Sequence, residues 1–439
     1  MNQISVPSTT AARPTRHLII LAVLLALTPL SLVAQNGPPP VDGDSIDGAS
    51  LRVFLMTMGQ GNYIFERFGH NAIWIRDERT GQDIAWNYGV FAFDDPGYIG
   101  RLVRGDMQYW VEAWDANRMA QSYAADNRTV VVQELNLTPA RRAGLHDFLI
   151  WNAREENRFY RYDYYRDNCS TRVRDAIDRA LDGQLRLALD AMITDETYRG
   201  HTQRLLADRL PAATGTLLAL GPATDVPLSA WEAGFLPVQL MQHVRMLRVS
   251  APDGTLSPLV AGEAVLFEAT RPPEAAQAPD RLPLYLGAGL GLGLLSLLFG
   301  YAGARARGAA IAFHTVGAVV MLAVGLFGTV ILGLWAFTDH EVTYRNENLF
   351  QANPLALVAG VLLIVAAFGP ARRATRRLVL LGAGLAAFGF AGQALPALDQ
   401  VNGGIIALLL PVHLGIAGGL LLMARRSSAP KDTVGRKKA

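Results

Sequence analysis

The chain has one cysteine in 439 residues. A single thiol cannot close an internal disulfide, so no disulfide framework organises the fold and Cys169 is left free for chemistry. Charge is also scarce. Asp, Glu, Lys and Arg make up 18% of the residues and the formal net charge is only +2, which gives no basic field for nucleic acid. No Gly-rich phosphate loop, nucleotide fingerprint or spaced set of zinc ligands stands out, so neither a cofactor nor a metal is expected. The Gly-x-Ser-x-Gly turn of a serine hydrolase is missing. The adjacent carboxylates Asp94-Asp95 and Glu155-Glu156 read as solvated rather than as an acid–base pair.

What is abundant is apolar surface, at 51% of residues, and it is unevenly spread. Residues 1–34 read as a secretory signal peptide: Arg13 and Arg16 precede an apolar run from Leu18 to Val33, with an uncleaved anchor as the alternative. Residues 35–49 are rich in Pro, Gly and Asp and read as a linker, followed by a domain over 50–280. After Arg281 come five apolar spans, 283–301, 309–337, 354–369, 378–395 and 404–424, most of them near the ~20 residues a bilayer requires. Arg305 and Arg307, then Arg372, Arg373, Arg376 and Arg377, then the basic tail 426–439, fall on alternate loops. That pattern puts these loops and the C-terminus in the cytoplasm and residues 50–280 outside it, in agreement with the signal segment.

Within 50–280, Cys169 sits where a helix should begin. Asn168, Ser170 and Thr171 are capping types, and Val173, Ile177 and Leu181 give an amphipathic period. A thiol at a helix N-terminus, with Arg172 and Arg174 nearby, is expected to have its pKa lowered from about 8.5. The competing reading is a buried, inert cysteine. About a hundred residues upstream, His70 opens the alternating run His70-Asn71-Ala72-Ile73-Trp74-Ile75-Arg76, which a turn joins to a second strand through Asn87. A histidine opening a strand and a cysteine opening a helix are the minimum for covalent thiol catalysis. Asn87 is the candidate to orient His70, with Asp83 as the alternative; Asn71 points to the opposite face. The oxyanion would be held by the backbone N–H of Cys169 and a neighbour at the helix start.

Around these residues a helix is expected over 111–125, another over 139–157, helical chain from 169 to about 220, a helix over 228–247, and a hairpin or extended segment after 248. His201 and His243 read as lying on solvated helical faces. Tyr160, Tyr162, Tyr164 and Tyr165 either line a substrate groove or pack beneath the Cys169 helix. The segment between the second and third spans, with His340, Asn346 and Asn353, is either a headgroup-binding loop or a hydrated turn.

A cysteine helix and a histidine strand form the core of papain-like thiol enzymes, here with the two in permuted order, as in NlpC-type relatives. The words Phe68-Gly69-His70-Asn71, Asn87-Tyr88-Gly89-Val90-Phe91, Asn168-Cys169-Ser170-Thr171-Arg172 and Phe235-Leu236-Pro237 resemble the periplasmic domain of Lnb-type lipoprotein N-acyltransferases. The polar segment with His340 and Asn353-Pro354-Leu355 is similar to that family's membrane part. The resemblance runs from about residue 50 to about residue 425. It implies an α+β, permuted papain-like (NlpC-like) domain followed by a transmembrane bundle of five spans in a bacterial inner membrane. It further implies acyl transfer from a membrane phospholipid, through a Cys169 thioester, to the N-terminal amine of a diacylglyceryl lipoprotein. Tyr164, Tyr165, His340, Asn346 and Asn353 are the substrate-binding candidates. The alternatives are a thiol peptidase or amidase acting on cell-wall peptide, and a non-enzymatic membrane sensor or assembly protein.

Overall fold

A computed structural model describes residues 46–92, 94–250, 253–369 and 372–427. The expected signal segment, most of the linker and nearly all of the basic tail lie outside these residues. Residues 46–49, assigned above to the linker, already belong to the fold. Gly48–Ser50 forms a 3-10 turn capped by the Asp47 carboxylate, which accepts from the Ala49 N–H at 2.9 Å.

The first domain is built on an antiparallel sheet. Its strands are β1 (Leu51–Met58), β2 (His70–Asp77), β3 (Gln82–Val90), β4 (Gln108–Asp115), β5 (Val130–Leu135) and β6 (Phe159–Arg161). Strands β7 (Arg248–Ser250) and β8 (Leu256–Pro258) make a separate hairpin, and β9 (Val260–Phe267) returns to the sheet edge. The order is β6-β4-β3-β2-β1-β5-β9. The helices of this domain are α1 (Tyr98–Arg104), α2 (Ala116–Ala125), α3 (Pro139–Asn152), α4 (Cys169–Ala180), α5 (Gln184–Asp190), α6 (Tyr198–Leu205), α7 (Leu210–Ala219), α8 (Ala230–Ala233) and α9 (Pro237–Met246).

Both faces of the sheet are covered, which is why β1 is apolar almost throughout. On one face Val53, Leu55, Ile73 and Trp86 pack with Leu145 and Leu149 of α3 and Val173 and Ile177 of α4. On the other, Met56, Ala72, Trp74 and Ala85 pack with Met119 of α2.

Several boundaries differ from expectation. Residues 108–115 form a strand, because Tyr109, Trp110, Val111 and Trp114 favour a pleated surface. Helix α2 starts only after Asp115, whose side chain caps the Arg118 N–H at 2.8 Å. Helix α3 stops at Asn152, where Asn152 and Asn157 bond the turn to itself. The helical stretch 169–220 consists of four helices, broken first at Asp182-Gly183, where both residues take positive φ. Residues 228–247 split into α8 and α9 at Gly234-Phe235-Leu236.

Beyond Arg281 lie α10 (Leu282–Gly303), α11 (Arg307–Phe337), α12 (Leu355–Ala367), α13 (Arg372–Gly392) and α14 (Gly403–Ser427). Among the described residues, five helical segments are long and apolar enough to cross a membrane, the third counted from the 3-10 turn that begins at Glu347. Helix α13 begins at Arg372, ahead of its apolar run, and the exposed Arg372, Arg373, Arg376 and Arg377 lie along its first turns. Helices α10 and α14 meet backbone to backbone: a side chain at Gly293 or Gly415 would collide with the other helix's main chain.

The two parts are joined at one end of the bundle. The Arg199 guanidinium, 2% exposed, pairs with Asp225 at 2.6 Å and donates to the carbonyls of Leu217, Leu220 and Gly221. Asp225 in turn accepts from the Val401 N–H just before α14. The connection between α11 and α12 dips into the bundle, with Ala352 and Asn353 packed against Gly328, roughly 13 Å inside the end of α11.

Candidate active site

Asn168 organises the start of α4. Its side-chain oxygen accepts from the N–H groups of Ser170 and Thr171, both at 2.9 Å, and the Thr171 hydroxyl accepts from the Asn168 N–H at 2.7 Å. The Asn168 amide also donates to the carbonyls of Tyr164 and Phe235, both at 3.0 Å. Ser170 donates to the Gly234 carbonyl at 2.7 Å and accepts from the Asn71 side chain at 3.1 Å. These bonds fix where Cys169 stands. They also give a physical reason for the Phe235-Leu236-Pro237 word: that turn supplies the carbonyl that holds the cap.

His70 opens β2 on the face that carries Ala72, and Ala72 is opposite Asn87 in β3. Asn87 therefore lies diagonally across from His70, and its side-chain oxygen is 2.6 Å from His70 Nε2. An amide oxygen only accepts, so Nε2 carries the proton and Nδ1 is left as the free base. Asp83, the alternative orienter, is at the far end of the hairpin and is occupied by Trp74 Nε1 at 2.8 Å. The ring of His70 is further held by stacking on Tyr123, centroids 5.8 Å apart.

Gly89 is where the thiol and the imidazole approach each other. It sits at a bulge between β3 and β4 with φ +92°, and a Cβ there would lie 3.2 Å from Cβ of Cys169 and 3.9 Å from Cε1 of His70. The cysteine on one element and the histidine on another share the space that the absent side chain leaves open.

The electrostatics correct one expectation. Burial pushes the Cys169 thiol up to about 11, although the N–H groups of Asn71, Ser170 and Cys169 hydrogen-bond the sulfur and oppose the shift. Two reasons explain why the helix start does not win. The Ser170 N–H is shared with Asn168, and the Thr171 N–H is bonded to it. The two nearby arginines face elsewhere: Arg172 pairs with Asp167, and Arg174 lies over the Trp231 ring at 3.8 Å. His70 is pushed down to about 4 by burial, with Asn87 opposing and the charge of Arg128 adding to the fall. The resting pair is thus neutral thiol and neutral imidazole, with the base ready to accept. Replacing Asn87 with alanine should lower kcat roughly 10²-fold. Asn87→Asp should retain much of the rate and move the acid limb of the pH–rate profile upward, because a carboxylate beside Nε2 favours imidazolium. An unmoved acid limb would show that Asn87 does not act through His70.

Of two further contributors, Arg128 was not read from the sequence, and Tyr160 was named there only as one of four tyrosines. Arg128 is 4% exposed, stacks on Tyr123 at 4.5 Å and leaves Nη2 without a partner, placing a buried cation beside the pair. The Tyr160 hydroxyl is buried without a partner and lies 3.9 Å from the same Gly89 position. Burial holds that phenol well above its usual range, so it remains a donor. Nothing in a run of alternating tyrosines marks which one faces the thiol.

The substrate-binding candidates separate. Tyr164 is 43% exposed and stacks with His340 at 6.3 Å, and His340 Nε2 donates to the Leu102 carbonyl at 2.9 Å, so these two do meet each other. Tyr165 does not line it. Its ring is buried against Tyr198 and Phe235, and its hydroxyl pairs with Thr202 at 2.8 Å. Asn346 is buried and caps α7 from outside, donating to the carbonyls of Leu218 and Ala219 at 2.9 and 2.8 Å. Asn353 is buried beside α11, away from the thiol, and its amide has no partner.

His201 and His243 are buried rather than solvated, at 2 and 7% exposure, because α6 and α9 pack their histidine faces inward, His201 against Phe235. Burial lowers His201 to about 4, below the ordinary 6.5. The unfolded chain then binds more protons below pH 6.5. Its contribution is present above that pH and is lost as pH falls toward 4, roughly 3 kcal/mol in all. Detergent-solubilised protein should show a falling Tm between pH 6.5 and 4, with a shallower fall in His201→Phe. Identical slopes would remove His201 from the account.

Two family models match the chain: the Lnb N-terminal periplasmic domain over residues 41–208 and the Lnb transmembrane domain over residues 292–417. No curated protein and no solved structure matches. The first match contains His70, Asn87 and Cys169; the second takes in most of the bundle. With a sheet-bearing periplasmic domain joined to five membrane helices, and both parts matched in order, the chain belongs to the Lnb-type lipoprotein N-acyltransferase family, as a lipoprotein-processing membrane protein.

Proposed function

We propose that the protein moves a fatty acyl group from a membrane phospholipid, through a thioester on Cys169, to the N-terminal amine of a diacylglyceryl lipoprotein. The observation that carries this reading is that Cys169 and His70 both border the Gly89 position, in a domain tied directly to the end of a five-helix bundle. Cys169 as a residue is intermediate in exposure. Outside the cytoplasm there is no supply of acyl-CoA, so the donor is a lipid already in the bilayer, and an anchored site holds it within reach.

In the first half-reaction His70 Nδ1 takes the thiol proton as the sulfur attacks an ester carbonyl of the phospholipid. The N–H groups of Cys169 and Asn71 and the Tyr160 hydroxyl serve the developing oxyanion. The C–O bond then breaks, His70 returns the proton to the leaving lysophospholipid oxygen, and acyl-Cys169 remains. In the second half, the lipoprotein amine attacks the thioester carbonyl. His70 takes the amine's proton, the C–S bond breaks, and the proton is passed to the departing sulfur. Arg305 and Arg307, and Arg372 to Arg377, lie at the bundle end away from the first domain. That sidedness fits a bacterial inner membrane with the Cys169 domain in the periplasm and the C-terminus in the cytoplasm.

The test is intact mass of the purified protein incubated with phospholipid. A fatty-acyl increment released by neutral hydroxylamine is expected. Folded protein that takes up no acyl group but cleaves cell-wall peptide would overturn the proposal.

A further inference from the structure

Shortly before His70, Tyr63, Ile64 and Phe65 stand in a row on the surface, 67, 56 and 62% exposed. They are held outward rather than left slack. Glu66 folds back so that its carboxylate accepts from the N–H groups of Asn62 and Tyr63 at 2.9 and 3.1 Å. The rings of Tyr63 and Phe65 stack at 5.7 Å. Full exposure of such side chains forgoes about 1.5–3 kcal/mol each compared with burial.

The position of this turn relative to the bundle identifies what covers it. Arg67 donates to the Leu205 carbonyl at 3.2 Å and pairs with Asp208 at 2.5 Å, and Arg209 donates to the Asn62 carbonyl at 3.4 Å. The same short connection, at Leu206 and Ala207, accepts from Arg281 at 3.1 and 2.7 Å, immediately before α10. Tyr285, on the first turn of α10, bonds Thr214 of α7 at 2.7 Å. The turn is therefore level with the start of a membrane helix, near the exposed Leu210, Leu282 and Leu284. Arg209 and Arg271 flank it, Arg271 through a bond to Asn62 Oδ1 at 3.3 Å. Aromatic and aliphatic groups beside arginines suit the boundary between acyl chains and phosphates.

We propose that Tyr63-Ile64-Phe65 seats in the bilayer leaflet facing the Cys169 domain and forms the edge over which a phospholipid acyl chain enters the site. The seating stands without the acyl-transfer reading; the entry role rests on it.

The experiment uses the full chain in lipid nanodiscs. A Cys169→Ala protein carries Ile64→Cys labelled with an environment-sensitive fluorophore, and a second carries Glu78→Cys on the β2–β3 turn as control. Quenching at 64 by lipids bearing a nitroxide on the acyl chain, with protection from aqueous iodide, is expected; iodide quenching equal to that at 78 would overturn the seating. With Cys169 intact, Ile64→Asp should slow acyl-enzyme formation from phospholipid about 10-fold or more. It should leave acylation by a water-soluble p-nitrophenyl butyrate unchanged. Equal slowing with both donors would overturn the entry role. If the wild type takes no acyl group from phospholipid, the proposed function and the entry role fall together, and the quenching result still decides the seating.

Discussion

Cys169→Ala should abolish the acyl-enzyme and lower transfer by at least ~10⁴-fold, and His70→Ala should do nearly the same. The geometry explains why both losses are large. Burial holds the thiol protonated, at about 11, so unassisted sulfur is a poor nucleophile near neutral pH. Burial likewise keeps His70 neutral, and Asn87 occupies Nε2, so Nδ1 is the available base. Because the two act as a unit, Cys169→Ala/His70→Ala should be no slower than Cys169→Ala alone. The readout is acyl mass on the protein and acylated product, compared at equal folded protein. Transfer that persists in Cys169→Ala would remove the thiol from the mechanism and leave the cysteine as core packing.

The second large effect belongs to a residue with no side chain. Gly89→Ala should lower the rate roughly 10²-fold while costing only about 1–2 kcal/mol of stability. The stability loss comes from placing an alanine at φ +92°. The rate loss comes from a methyl group set 3.2 Å from the Cys169 Cβ, between the thiol and the imidazole. Gly81→Ala separates the two causes. Gly81 also has a positive φ, +72°, but a Cβ there meets nothing within 4 Å. That variant should lose similar stability and keep full activity. If both variants lose activity equally, backbone strain rather than occlusion of the site is responsible.

Much of this protein was legible before any coordinates. The Asn168-Cys169-Ser170-Thr171 start of α4 and the His70 start of β2 are local features, set by capping chemistry and by alternation over a few residues. Five apolar helical segments follow from runs of residues that cannot be satisfied in water. Even Asn87 could be named as a candidate, because two strands joined by a short turn pair antiparallel and put it near His70.

Other features depended on which element packs on which, and local sequence does not state that. The expectation of an activated thiol used the helix start and two arginines, but the ionisation of Cys169 is decided by burial and by where Asn168, Arg172 and Arg174 spend their hydrogen bonds and charge. Arg128 comes to the site from a distant segment, and Tyr160 from β6, the element just ahead of α4. His201, His243 and Asn346 look polar and surface-bound in the sequence, and the folded chain buries each of them; of the two readings of Tyr165, the folded chain takes packing. The pattern of apolar residues and caps determined the elements, the membrane part and the candidate pair, Cys169 and His70. The tertiary structure alone decided the protonation of that pair, its buried cation and its partnerless hydroxyl, because desolvation and through-space charge depend on neighbours far apart along the chain.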